Sequence, residues 1–228
     1  MSLENFQLQL ESEREWREEE LRFLDNNQRA MVDESARKKI RRSMLCLVYA
    51  HIEGFVQFAF SLYIDEINKI ELTCSQVKPV IAAATLHREF IALQNKDKKS
   101  TIFRKTLPDE ANLHRLSRQV EFVENISDFQ NHSVFIPEGY VSTDNNIGQQ
   151  VLEKILYQVG LEYKDLKDIY SPLNRLLNVR NDISHGKRRQ GIDDKEYQEF
   201  IACCKSVIGG VSRRLTTAYG RKDFLLAS

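Results

Sequence analysis

SARKKIRRSMLCLVYAHIEGFVQFAFSLYIDEINKI, residues 35–70, contains no proline and a single glycine, Gly54. Met44, Leu47, Val48, Ile52, Phe55, Val56, Ala59, Phe60, Tyr63, Ile64 and Ile67 fall on it mostly three or four apart. That spacing gathers side chains onto one side of an α-helix. The stripe is too wide for a helix lying on a surface, so it predicts the central rod of a bundle, buried on more than one side. Its start is basic, with Arg37, Lys38, Lys39, Arg41 and Arg42. Gly54 would let a neighbouring helix come close.

Working outward, residues 3–28 predict a first amphipathic helix. Leu3, Phe6, Leu10, Trp16, Leu21 and Leu24 recur among dense Glu and Arg that form a solvated face. Downstream, Pro79 opens a predicted helix to residue 93, because proline suits the first turn. Residues 95–100 read as a loop and residues 110–126 as a helix. Residues 129–146 carry Pro137, Gly139 and the run Asp144-Asn145-Asn146, and predict an irregular insertion with a short strand pair over 133–141. The Asp-Asn-Asn run is expected to cap the helix that follows.

Residues 147–159 predict a helix stopped by Gly160, and residues 163–180 another with a break at Pro172. A charged turn over 186–191 leads to a last helix capped by Asp193 or Asp194, with Tyr197, Phe200, Ile201, Cys204, Ile208, Val211 and Leu215 facing inward. Gly209-Gly210 would bend that helix or admit another backbone. The fold class is all-α, a single domain over residues 1–228.

Composition narrows function. A chain of 228 residues can bury its own core, and 33 basic against 33 acidic side chains leave no global field for nucleic acid or anionic lipid. Contact with RNA must therefore come from a local patch. No uninterrupted apolar run reaches the roughly 20 residues of a membrane span. The N-terminus is acidic where a signal peptide would be basic and then apolar, so a cytoplasmic location without membrane attachment is expected. Cys46, Cys74, Cys203 and Cys204 lack the spacing of a zinc site or a disulfide framework. No Walker loop, dinucleotide fingerprint, H-E-x-x-H or G-x-S-x-G occurs, which leaves kinase, dehydrogenase, zinc-protease and serine-hydrolase readings without support. No cofactor or metal is expected.

The chemistry concentrates in Arg180-Asn181-Asp182-Ile183-Ser184-His185-Gly186, where an apolar helix meets a glycine-bearing turn. Asn181 and His185 are four apart and share a helix face if the helix runs that far. These residue types suit phosphodiester transfer in RNA. An imidazole can move protons near neutral pH, a guanidinium can bond two phosphate oxygens, and an amide can orient either group. One chain offers one such histidine, while acid and base catalysis together need two. A symmetric homodimer is the economical arrangement. A plain structural alternative stands beside it: a histidine at a helix end and Arg180 on a surface carboxylate.

Glu53 is a costly charge in an apolar stretch and could orient Arg180, or pair with another basic residue near the surface. Asp182 and Ser184 are supporting candidates within the motif. Lys187, Arg188 and Arg189 follow directly and could contact RNA phosphates, or form a solvated turn. His51 and Glu53 lie two apart on different faces, which disfavours a metal site. His87, His114 and His132 are scattered and read as surface or boundary residues.

The string RNDISHG closely resembles the R-N-x-x-x-H-G signature of HEPN domains. EREWREEELRFLDNN, LVYAHIEGFVQFAFSLYIDEIN and STDNNIGQQVLEKILYQVGL resemble, in the same order, blocks of the MAE-type branch of stand-alone HEPN-like nucleases. The resemblance covers most of the chain and is weakest over residues 75–130. It implies a four-to-five-helix core with extra helices, a dimer joining two motifs in one cleft, and metal-independent RNA cleavage leaving a 2′,3′-cyclic phosphate. Arg180 and His185 take the catalytic places, and Asn181 the polar place beside them. Many relatives act as toxins or abortive-infection effectors against phage, which leaves room for an antitoxin or regulatory protein. The alternatives are a non-catalytic HEPN module that binds RNA, a nucleotide or a protein, which the cancelling charge suits, and a purely structural helical dimerisation protein.

Overall fold

A computed structural model describes residues 1–95, 99–100, 110–164 and 166–226. Among these, nine helices form and strands are absent. They are α1 Leu3–Ala30, α2 Glu34–Asn68, α3 Pro79–Thr85, α4 His87–Gln94, α5 Ala111–Glu124, α6 Ile126–Phe129, α7 Gln149–Gln158, α8 Lys167–Ser184 and α9 Asp194–Arg221. The loop expected over residues 95–100 falls partly outside the described residues. The chain, expected as one domain, divides into two compact units: residues 1–66 with 141–223, and residues 67–140 with 224–228.

The first unit contains α1, most of α2, α7, α8 and α9, matching the expected four-to-five-helix core. Buried positions along α2 come in pairs: 44/45, 48/49, 51/52, 55/56, 59/60, 62/63 and 66/67. Successive pairs advance by three or four residues, the helical period. Each fully buried Leu, Ile, Val or Phe adds roughly 1.5–3 kcal/mol, so this helix alone organises much of the core. By length and composition α2 also qualifies as a membrane span. Counting uninterrupted apolar runs missed this, because Glu53, Gln57 and Asp65 break the run without lowering the average enough. Most of its apolar residues from Met44 to Ile64 are buried.

Polar side chains fix how α1, α2 and α9 meet. Arg41, 2% exposed, bonds Gln28 Oε1 at 3.0 Å and reaches Glu34 and Asp194 at 3.2 and 3.1 Å. Arg17 is buried too, donating from Nε to the His51 carbonyl at 3.2 Å and pairing with Glu13. A Cβ on Gly54 would come within 2.9 Å of Arg17 Nη2, so the glycine makes room for a guanidinium. Trp16 was expected inward but lies on the surface, its indole N–H on Glu13 and its face under Arg17 at 4.2 Å. Asp193 caps α9, accepting from Glu196 N at 2.8 Å. The helix continues through Gly209-Gly210, and a Cβ on Gly210 would make only ordinary contact with Leu166 and Ile169. Among the described residues, no other backbone lies within 4 Å of a Cβ built on either glycine.

Pro172 does not break α8. It sits six residues into the helix, so its missing N–H withdraws a bond only from Asp168 in the first turn. Both residues are exposed, and water can take that carbonyl.

The second unit packs α3 on α4, α4 on α5 and α5 on α6. The helix expected over 79–93 is two helices, interrupted at the buried Leu86. The expected strand pair over 133–141 is replaced by isolated bridges, Thr73 to Ser133 and Val77 to Leu225. Pro137 has no N–H to donate and Gly139 turns the chain at φ 75°, so the extended stretch ends after a few residues. Asn68 takes over the pairing of Ile136, donating to its carbonyl at 3.0 Å and accepting from its N–H at 2.8 Å.

Candidate functional site

The motif lies at the C-terminal end of α8. The helix stops at Ser184, and His185 forms its C-cap with near-helical angles, donating N–H to the Asn181 carbonyl at 2.9 Å. Gly186 then takes φ 71°, a left-handed conformation that glycine adopts without penalty. Asn181 and His185 therefore share a face, as expected. The His185 imidazole is exposed and makes no hydrogen bond or ion pair among the described residues.

Arg180 is held much more firmly. Its guanidinium lies 4.0 Å above the ring of Tyr49. Nη1 donates to Asn181 Oδ1 at 3.0 Å and Nη2 to the Asn145 carbonyl at 2.9 Å. Glu53 Oε2 stands 3.8 Å from Nη2, an ion-pair distance longer than a hydrogen bond, with both side chains 20% exposed. A guanidinium carries five N–H donors. Two of them make hydrogen bonds among the described residues.

Tyr49 belongs to the deepest part of the core, 1% exposed, and its hydroxyl donates to the Ile147 carbonyl at 3.1 Å. Burial, and next the charge of Glu53, push its pKa well above the usual tyrosine range, against the opposing pull of Arg180. The phenol therefore stays a neutral donor at physiological pH.

The loop before α7 completes the site. Asp144 and Asn145 both adopt positive φ, 54° and 52°, which Asn and Asp tolerate better than most residues. This turn aims the Asn145 carbonyl at Arg180 and Asn146 Oδ1 at Asn181 Nδ2, 3.3 Å away. Lys154 pairs with Asp144 and, with Ser142, holds its carboxyl below the ordinary range. The run was expected to cap the next helix, but α7 begins at Gln149, whose N–H is capped by Asn174 Oδ1 at 2.8 Å. A Cβ on Gly148 would come within 2.8 Å of Leu177 Cδ2 and 3.0 Å of Asn174 Oδ1, so any larger residue would have to displace those side chains of α8.

The remaining candidates separate. Asp182 and Ser184 are exposed, and the Asp182 carbonyl accepts from Arg188 N at 2.9 Å. The Arg188 guanidinium forks onto Glu196 at 3.1 and 2.5 Å, bracing the turn against α9. Lys187 and Arg189 are exposed and carry the free charge of the basic cluster. Gly191 docks this turn on α2, where a Cβ would meet Lys38 at 2.5 Å. Sequence reasoning gave Tyr49 and Gly148 no role in the site, and Asn145 and Asn146 only a helix-capping one. The Asp-Asn-Asn run was the available signal, since consecutive left-handed residues favour that composition.

An all-helical bundle with R-N-x-x-x-H at a helix end agrees with the resemblance to HEPN domains. Residues 12–216 match the family described as RiboL-PSP-HEPN, and the chain belongs to it. The superfamily inferred from RNDISHG is thereby shown; the matching family carries the RiboL-PSP description, where the sequence blocks resemble the MAE-type branch. No curated protein and no solved structure matches the chain. Family membership points to a nuclease or RNA-related module.

Proposed function

We propose that the protein is a metal-independent endoribonuclease acting as a homodimer in the cytoplasm, in the manner of a toxin or abortive-infection effector. The observation that carries this reading is the contrast between Arg180, clamped by Tyr49, Asn145 and Asn181, and His185, open at the helix end. A fixed cation suits the charge that grows on the phosphate in the transition state, and it needs no reorganisation to do so. An exposed, unpaired imidazole suits proton transfer.

In this mechanism His185 of one protomer removes the proton from a ribose 2′-hydroxyl. The 2′-oxygen bonds to phosphorus, and the bond from phosphorus to the 5′-oxygen breaks. The protonated His185 of the partner subunit gives its proton to the departing oxygen. Arg180 bonds the non-bridging oxygens, and Asn181 holds Arg180. The products are a 2′,3′-cyclic phosphate and a 5′-hydroxyl. The nucleophile comes from the RNA itself, so no step calls for a metal-bound hydroxide.

Purified wild type, Arg180→Ala and His185→Ala incubated with total RNA and excess chelator, with product ends mapped, test this. Cleavage by wild type alone with cyclic-phosphate ends is expected. Activity lost to chelator and restored by a divalent ion would overturn the mechanism.

A second reading, a non-catalytic RNA-binding or protein-binding HEPN module, has one observation in its favour. Arg188 is engaged by Glu196, so the basic cluster after the motif is thinner than its sequence suggests. Retention of RNA without cleavage by any form would favour it.

A further inference from the structure

Between α7 and α8, beside the loop that grips Arg180, lies a groove of about 870 Å³. Gln149, Glu153, Lys164, Lys167, Asn174 and Asn178 are among its lining residues. On α8, Asn174, Asn178, Asn181 and His185 stand four, three and four residues apart, so all four fall on one face of the helix. The groove wall thus continues directly into the motif. From Lys167 to His185 the helix covers roughly 27 Å at about 1.5 Å per residue.

The charged side chains lining the groove are three cations, Lys164, Lys167 and Arg175, against one carboxylate, Glu153. The side chains of Lys164, Lys167 and Asn178 make no hydrogen bond or ion pair among the described residues, although the Lys164 backbone N–H bonds Glu162 at 3.0 Å. Arg175 is engaged by Glu199 and Glu196, and the Glu153 carboxylate is bonded by Gln149 at 3.0 Å. Lys164 Nζ lies over the ring of Tyr163, 5.7 Å from its centre, and Arg175 over that of Phe200 at 5.2 Å. Tyr163 and Tyr157 are both exposed and meet edge to face at 6.5 Å. Two open lysines, a row of amides and exposed aromatic rings are what single-stranded RNA needs: phosphate neutralisation, hydrogen bonds to ribose and base edges, and a surface for stacking.

We propose that this groove is the track along which single-stranded RNA lies as its scissile phosphate enters the Arg180, Asn181 and His185 site. The inference rests on the ribonuclease reading for the direction of the strand, but its test is one of binding. Lys164 and Lys167 contact the backbone, Asn178 bonds the nucleotide next to the reacting one, and Tyr163 stacks a base further along. A globally neutral protein thereby obtains its local positive surface from residues outside the basic turn.

The test measures binding of a single-stranded RNA oligonucleotide to His185→Ala protein, so that binding is read without cleavage. The Lys164→Gln/Lys167→Gln double substitution is introduced into that protein, and salt is varied. Removing two phosphate contacts should lower the slope of log affinity against log salt by about 1.4 and weaken binding on the order of tenfold at low salt. In the otherwise wild-type protein, Asn178→Asp should raise KM with little change in kcat. Unchanged slope and affinity in the double variant, or no RNA binding by the His185→Ala protein, would overturn the groove. If wild type cleaves nothing while the lysine effect on binding is present, the groove stands and the nuclease reading fails. If cleavage occurs with lysine-independent binding and KM, the reverse holds.

Discussion

Replacing Tyr49 separates the two things its side chain does. Tyr49→Phe keeps the ring beneath Arg180 and deletes only the hydroxyl that donates to the Ile147 carbonyl at 3.1 Å. Ile147 is fully buried, so its carbonyl loses a partner that water cannot easily replace. The expected cost is about 1–3 kcal/mol. Tyr49→Leu also removes the ring that lies 4.0 Å from the guanidinium. A cation over an aromatic face gives about 0.5–1 kcal/mol when exposed and about 2 kcal/mol when desolvated. With Arg180 20% exposed, about 1–2 kcal/mol is expected here. Urea unfolding of each single variant, of Arg180→Gln and of both doubles isolates the pair, because the bond from Arg180 to Asn145 is lost in both arms of each cycle. The coupling between Tyr49→Leu and Arg180→Gln should be near 1 kcal/mol or above, and that between Tyr49→Phe and Arg180→Gln within about 0.5 kcal/mol of zero. Equal couplings, or none for Tyr49→Leu, would show that the ring does not hold the arginine.

Other perturbations probe the same architecture. Gly148→Ala drives a methyl to within 2.8 Å of Leu177 and should cost about 1–3 kcal/mol, lowering the urea midpoint together with any RNA cleavage. Arg41→Met strips Gln28, Glu34 and Asp194 of their shared donor and should cost about 1–3 kcal/mol; an unchanged melting temperature would refute its bracing role. Alkaline pH should destabilise the fold. Burial raises the pKa of Tyr49, Tyr63 and Tyr197 above the ordinary value and that of Cys203 to about 11. The unfolded chain therefore gives up these protons first, and stability is lost from about pH 9 upward, by at most about 1.4 kcal/mol per pH unit and group. His51 shifts the other way: burial lowers its pKa despite Glu20, so the unfolded state takes the proton first. Stability should decline as pH falls below about 6.5, and less steeply in His51→Gln.

The parts that sequence predicted well are those where one local rule dominates. The buried pairs of α2 follow directly from helical period and apolar side chains, and Asp193 caps α9 because a carboxylate there satisfies open N–H groups. Arg and His at that spacing meet by chance in many proteins, so the motif stands out through its resemblance to the HEPN signature rather than through spacing alone. What was missed depends on partners distant in sequence. Nothing local in Tyr49 says that its ring supports a guanidinium 131 positions later. Nothing in Asn174 says that it caps a helix 25 residues earlier. Pro172 misleads because its cost depends on where the helix begins, and Trp16 because an apolar side chain at helical spacing can still stack on Arg17 at the surface.

The ribonuclease chemistry meets its most direct test in one substrate pair. An RNA oligonucleotide containing a mapped cleavage position is compared with the same strand carrying one 2′-deoxynucleotide there, in chelator, against wild type, Arg180→Ala and His185→Ala. Wild type should cut the all-RNA strand to a 2′,3′-cyclic phosphate and leave the deoxy-substituted bond intact. Both variants should be slower by about 100-fold or more, the usual scale for losing a positioned acid, base or charge-stabilising group. Cleavage of the deoxy-substituted bond, or undiminished cutting by His185→Ala, would contradict a mechanism in which His185 moves the proton of the RNA's own nucleophile.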